Sequence, residues 1–504
     1  MVRLVEFNEP TASLIKLVET THPDNMIGAA IQTLRDGTTT DDILAAAGLA
    51  VSCCTELPPG HHGGPVHPVS GLFAARGLSK RLPGERAYLP TIQSVALANT
   101  HIHTDYMGPG SMPILDISSL AGKSKSQLLS GFEGALTARQ PALAERHLLA
   151  LLEVASPGEI MEVLLKIALP RNALDDHYLL YPVFSFRALD QLGWEHASVL
   201  LRPPVRFLAR HPELDPDPAF EYFYAPGIKL YKDPSFFLRQ AEEYKVDLSA
   251  LKLHPVTDET EAIERLADEL GALDHMTDVN GVLLTALREG LSLIGAGHAM
   301  SIGGGRLFLR SNTGNPFDVH VHTGINARRY LLDLENLSVQ AKALALLSWS
   351  TGPEVYYLDE TLNWPMLDDD ESADHEQKGQ DAMLEAIAAS IVDSPLVDLR
   401  ELTVSIEKVR LSESVRIPIE LAYTYIKKGY DPEALFELTA TLVCRDDQSE
   451  MHAYKLQQAS YEEYHHCLEA HRWVHLVSAV KHVACVTQIR PQEVHTRISE
   501  ALAT

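Results

Sequence analysis

Histidine is the residue type that stands out, at 23 of 504 residues. Imidazole is a common ligand for iron, zinc, copper and nickel, and it titrates nearest neutral pH. Histidines scattered over a surface build no metal site, and repeated spacing separates the two cases. The segment VHPVSGLFAARGL carries His67, Ser70, Gly71, Ala74, Arg76 and Leu78. The segment VHVHTGINARRYLL carries His320, Thr323, Gly324, Ala327, Arg329 and Leu331, each at the same offset of 253 residues, 67 to 320. A second block, His177 to Ala209, aligns without a gap on His452 to Ala484 at an offset of 275, 177 to 452. There His177 pairs with His452, Ser185 with Ser460, and His196 with His471.

The two blocks occur in the same order in each half. That pattern is expected of a tandem duplication of a unit of about 200–250 residues, an ordinary domain size. Equivalent positions of a duplicated protein can meet across a pseudo-two-fold axis. His67, His177, His320 and His452 would then converge on one metal ion held between the halves. His196, His471 and Thr323 are expected behind these ligands or in a substrate pocket. The competing explanation is that each histidine is a hydrogen-bonded structural residue. Lys455 lies three residues after His452, so both share one helical face about a turn apart; its counterpart is Leu180. A lysine beside a cation must be buried and neutral, or modified. Burial lowers a lysine pKa, and a neutral amine can add carbon dioxide to give a carbamate, an oxygen ligand. An ordinary lysine that carries its ammonium to solvent satisfies the same spacing.

The elements that must position these residues read as helices. No proline occurs from Met451 to Arg490, where Ala, Leu, Gln, Glu and Lys dominate. The first copy contains Pro182 and Pro203-Pro204, so a bend or restart is expected there. Residues 157–169, 262–273, 281–293, 339–347 and 382–392 are further helix candidates. Strand signals are few and short. The expected fold is all-α, built of two helical halves, 1–235 and 236–504, fused into one compact unit. A boundary fits within 224–252. Residues 60–65 (GHHGGP), 211–218 (HPELDPDP), 303–305 (GGG) and 368–380 (DDDESADHEQKGQ) read as loops.

The patterns around His67 and His320, and the HAYK segment from His452 to Lys455, resemble the questin oxidase-like proteins. The likeness is patchy along most of the chain, and Pro68 and Gly71 depart from the family pattern. The resemblance implies a helical, flavin-free oxygenase that opens anthraquinone rings of aromatic polyketides with O2. It implies a mononuclear non-haem iron held by four histidines and a carboxylated lysine: here His67, His177, His320, His452 and Lys455. Zinc or manganese is the runner-up to iron. Five protein ligands on an octahedral ion leave one open position, and a carboxylate-type ligand offsets the charge of oxidised iron. Tyr181, Phe184 and Tyr461 could line a pocket for a flat aromatic substrate; plain core is the alternative.

Composition narrows the remaining choices. With 42 Lys plus Arg against 68 Asp plus Glu, the net charge is −26. Nucleic acid and anionic membrane surfaces are therefore not expected as partners. No apolar run approaches the roughly 20 residues of a membrane span, and no signal-peptide pattern opens the chain. Five cysteines fit a reduced cytoplasmic protein. No phosphate-binding or dinucleotide fingerprint is present, so no flavin or NAD site is expected, and HExxH is absent. His101, His103 and the His320-x-His322 pair evoke metal-dependent hydrolases of the amidohydrolase type, but those need a barrel of alternating strands and helices. A non-catalytic helical scaffold would explain the duplication and the acidity without chemistry.

Overall fold

The computed structural model describes residues 4–54, 65–104, 108, 110, 112–172, 176–210, 235–312, 319–352, 355, 358, 361–367, 378–392, 415–445, 451–486 and 493–503. Among these the fold is all-α, as expected. Helices follow one another without a strand, and the β pairing is limited to two isolated bridges, Leu4 with Pro113 and Ser311 with Leu362.

Four helices form the centre: α1 (Val66–Arg81), α2 (His177–Leu192), α3 (Val319–Asp333) and α4 (His452–His466). α1 and α3 each pack against both α2 and α4, closing a four-membered ring. Every residue of α2 from His177 to Leu189 is buried. A helix hidden on all sides is usually apolar throughout. These four instead bury histidine, arginine, lysine and glutamate, and each such group needs a partner inside the protein. Pro182 does not restart α2. It is the sixth residue, so it withdraws one donor near the N-terminus and the helix continues. Pro203 and Pro204 do mark a restart, since both fall in the first turn of helix Arg202–Arg210. The proline-free stretch after Met451 is not one helix. α4 ends at His466, a 3-10 turn covers Glu469–His471, and a new helix runs Trp473–Val486.

Gly303–Gly305 is not a loop. It lies inside helix Leu293–Arg310, where close packing excludes side chains. A Cβ on Gly303 would meet Leu270 Cβ at 2.6 Å, one on Gly304 would meet Ile325 Cδ1 at 2.4 Å, and one on Gly305 would meet Val474 Cγ1 at 2.3 Å. Three neighbouring helices thus close on the three glycines from different sides. The candidate helix 281–293 is split: Val279–Arg288 ends, Gly290 turns through φ +106°, and Ser292 caps the next helix by accepting from Gly295 N–H. The other candidates match helices Pro157–Ala168, Thr260–Gly271, Val339–Leu347 and Gln380–Val392 within two residues. The expected loops at 60–64, 211–218 and 368–377 lie outside the described residues, as does 224–234 of the boundary region.

Several outer elements repeat at the 275-residue offset. Pro141–Leu151 corresponds to Arg416–Lys427, Pro157–Ala168 to Pro432–Val443, and the turn Trp194–His196 to Glu469–His471. The apolar core is not divided at 235/236. Its larger cluster draws on residues from Leu14 to Ala209 and again from Leu309 to Ile498, and a smaller cluster occupies Phe237 to Leu358 with Leu456 and Cys467.

Candidate metal centre

One histidine from each central helix meets in the middle of the ring. His67 lies in the first turn of α1, His177 opens α2, His320 lies in the first turn of α3 and His452 opens α4. All four are buried, between 2% and 7% exposed. Nε2 of His67 and Nε2 of His177 are 3.0 Å apart. At that distance either one ring donates its proton to the other, or both lone pairs face a shared cation. Ring centroids of His67 and His452 are 4.9 Å apart, and those of His177 and His452 5.8 Å. Donor atoms of His67, His177 and His452 all lie within 4.8 Å of one another. His320 stands next to this triad, stacked on His452 at 5.4 Å and edge-on to His177 at 5.6 Å.

The electrostatics keep two of these imidazoles neutral. Burial pushes the His452 pKa well below its ordinary value, and the nearby Lys455 charge and the other three imidazoles push it further. Burial lowers His320 too, partly offset by Asp176. Neutral imidazole is the form that ligates metals. Lys455 is 2% exposed, one turn along α4 from His452, with Nζ 5.7 Å from the Phe184 ring centre. The buried nitrogen donor set, with an amine a turn away, therefore fits a first-row transition ion.

A carboxylate stands behind the cluster. Asp176, immediately before α2, is fully buried, and its Oδ2 lies 3.3 Å from His320 Nδ1. Its Oδ1 is 3.6 Å from the Arg328 guanidinium. Arg328 is itself fixed, donating to the carbonyls of Ala345 and Gly324 and to Ser348 Oγ. Burial alone would raise the Asp176 pKa; His320 and Arg328 outweigh it and hold the group below the usual carboxylate range. Sequence reading did not find this pair. The available signal was an acidic residue adjoining a histidine already singled out.

Other expected site residues do not join the cluster. His196 and His471 sit in half-buried 3-10 turns beyond the far ends of α2 and α4. At 1.5 Å per residue, each helix carries the chain on the order of 20 Å from its first histidine. His471 contacts Glu264 and Arg306 instead. Thr323 donates to the Val319 carbonyl of its own helix. Tyr181 and Phe184 are core, packed on Phe207 and Phe73, and Tyr461 packs on Phe436 and Arg81, so the three do not line one pocket. His103 is exposed and faces the Asn99 carbonyl of its own helix. The aberrant Gly71 has a local cause: a Cβ there would meet Met451 Cβ at 2.5 Å.

A second buried polar group was also missed. Ser301 Oγ donates to Glu463 Oε2 and lies 3.3 Å from His475 Nε2. Glu463 also pairs with Arg329 and accepts from Asn326. His322 is edge-on to His475 at 5.8 Å, and burial pushes His322, His475 and His482 down to about 3, 4 and 3. The chain matches no described protein family, no curated protein and no solved structure.

Proposed function

We propose that this chain is a metal-dependent oxygenase that holds a mononuclear non-haem iron between two duplicated halves and oxidises or cleaves an aromatic, anthraquinone-like ring with O2. The observation that carries this is the convergence of His67, His177 and His452, with His320 stacked beside them, one from each central helix, at the positions related by the two sequence offsets. The outer helices that repeat at the same offset support the duplication.

In this reading the four imidazoles hold the ion, and Lys455 completes the set as a carbamate. The neutral Nζ lone pair forms a bond to the carbon of CO2, one C–O π pair moves onto oxygen, and the nitrogen gives its proton to water. When bound, iron supplies the one-electron chemistry that dioxygen requires. The chain keeps the centre dry, since every proposed ligand is buried, and Asp176 backs His320. Zinc or manganese remains the alternative ion. A barrel hydrolase has no support, because the described residues contain no strand.

Elemental analysis of the purified chain tests the proposal, with about one iron per chain expected from a single four-histidine site. Changing His452 to Ala should empty it. Lys455→Leu, which installs the counterpart residue, should reduce iron retention and abolish a carbamate carbon signal from 13C-bicarbonate. Oxygen uptake with a panel of polycyclic phenols should follow iron content. Wild-type protein without stoichiometric metal would instead indicate a scaffold.

A further inference from the structure

Asp176, just before α2, meets His320 and Arg328, about two turns apart on α3, with no water-exposed edge: exposure is 0% for the Asp176 and Arg328 side chains and 2% for His320. A buried carboxylate is costly unless something is gained from its charge. Arg328 alone does not explain it, because the guanidinium already donates to two backbone carbonyls and to Ser348 Oγ. The carboxylate is also closely fitted. A Cβ on Gly352 would sit 3.1 Å from Oδ1, and one on Gly324 would sit 3.6 Å from Oδ2. Gly324 is the counterpart of Gly71, and Asp176 of Met451, which Gly71 faces in the other half. The same cradle thus holds an anion on one side and a thioether on the other.

A neutral imidazole carries its proton on one nitrogen only, and the neighbour of the other nitrogen chooses which. We propose that Asp176 is a positioning residue: it holds the His320 proton on Nδ1, fixes the ring plane, and leaves the Nε2 lone pair for the ion shared with His67, His177 and His452. Arg328 anchors the carboxylate in turn. This rests on the metal reading above. Its core, the tautomer of His320, is a property of the chain with or without an ion. Carboxylates behind ligating histidines raise ligand basicity, and losing one typically costs about 10–100-fold in metal affinity.

Asp176→Asn separates charge and hydrogen-bond direction from packing, because the amide has the carboxylate's shape but offers an N–H to Nδ1. Nitrogen-15 NMR of histidine-labelled, metal-stripped protein reads the tautomer, with the His320 signal assigned by its loss in His320→Gln. The expected result is Nδ1–H in the wild type and Nε2–H in Asp176→Asn. Competition with a chelator for Fe(II) should show about 10–100-fold weaker binding in the variant, and Asp176→Glu should recover part of the loss. An unchanged tautomer together with unchanged Fe(II) affinity in folded Asp176→Asn would overturn the proposal. Wild-type protein that shows Nδ1–H but takes up no metal would overturn the metal reading and leave the Asp176–His320 pairing standing.

Discussion

Positions matched by the two sequence offsets lie on helices in both parts of the chain but differ in chemistry. The first-half residues Gly48, Val69, Ala188, Leu200 and Phe207 have as counterparts, at the offsets of 253 and 275 residues, Ser301, His322, Glu463, His475 and His482. All ten are buried. The contacts correspond as well: a Cβ on Gly48 would lie 3.5 Å from Leu200 Cδ2, where Ser301 faces His475. One chamber is filled with hydrocarbon. The other holds an arginine–carboxylate pair and three imidazoles that burial keeps neutral. At the seam the difference becomes a bond, since Arg187 pairs with its own counterpart, Glu462, at 2.6 Å. Apolar packing tolerates substitution of similar volume, whereas a buried polar network fails when one member is lost. At these matched positions the second-half residues are therefore the more sensitive to substitution.

The largest effect should come from Glu463→Ala. Glu463 is 3% exposed and binds Arg329, Asn326 and Ser301, so its removal strands a largely buried guanidinium. Breaking such a pair costs about 3–5 kcal/mol, read as a fall in urea midpoint at unchanged slope. The counterpart change, Ala188→Gly in α2, should cost only about 1 kcal/mol, the helix propensity difference. Equal losses in the two variants would erase the contrast between the chambers.

A smaller effect should appear in acid. An unfolded histidine binds a proton near pH 6.5, whereas folded His322, His475 and His482 resist protonation down to about 3, 4 and 3. The unfolded chain therefore holds more protons across that window. The stability these groups contribute is complete above about pH 6.5 and is lost as pH falls toward 4 and then 3, by about 1 kcal/mol per unit for each histidine. Glu463, held down to about 2, adds a loss that begins below pH 4.5. Installing the first-half residues, His322→Val with His475→Leu and His482→Phe, should flatten the loss between pH 6 and 4. An unchanged acid profile would mean the three imidazoles do not govern it.

The same contrast explains what could be seen in the sequence. The four central histidines are legible because one residue type recurs at a fixed offset within each of two blocks, and the all-α fold follows from helix-forming composition with few strand signals. Recurrence marks nothing where the aligned residues differ. Asp176 faces Met451 in the alignment, and His322, His475 and His482 face Val69, Leu200 and Phe207, so no repeat marks them. Gly303–Gly305 reads as a turn by local propensity, yet three neighbouring helices close on it and hold it helical. Tertiary packing decided there, and it leaves no trace in a short window.

His196 and His471 sharpen the comparison at its weak end, for they are repeated like the ligand candidates yet stand apart from them. Both occupy 3-10 turns with partial exposure, and the His471 contacts are with Glu264, 40% exposed, and Arg306. Screened, partly exposed contacts of this kind contribute little. His471→Ala and His196→Ala should each change stability by less than about 0.5 kcal/mol, and neither should change iron content. Loss of metal in either variant would mean that repetition alone, and not convergence on the central ring, marks the functional histidines.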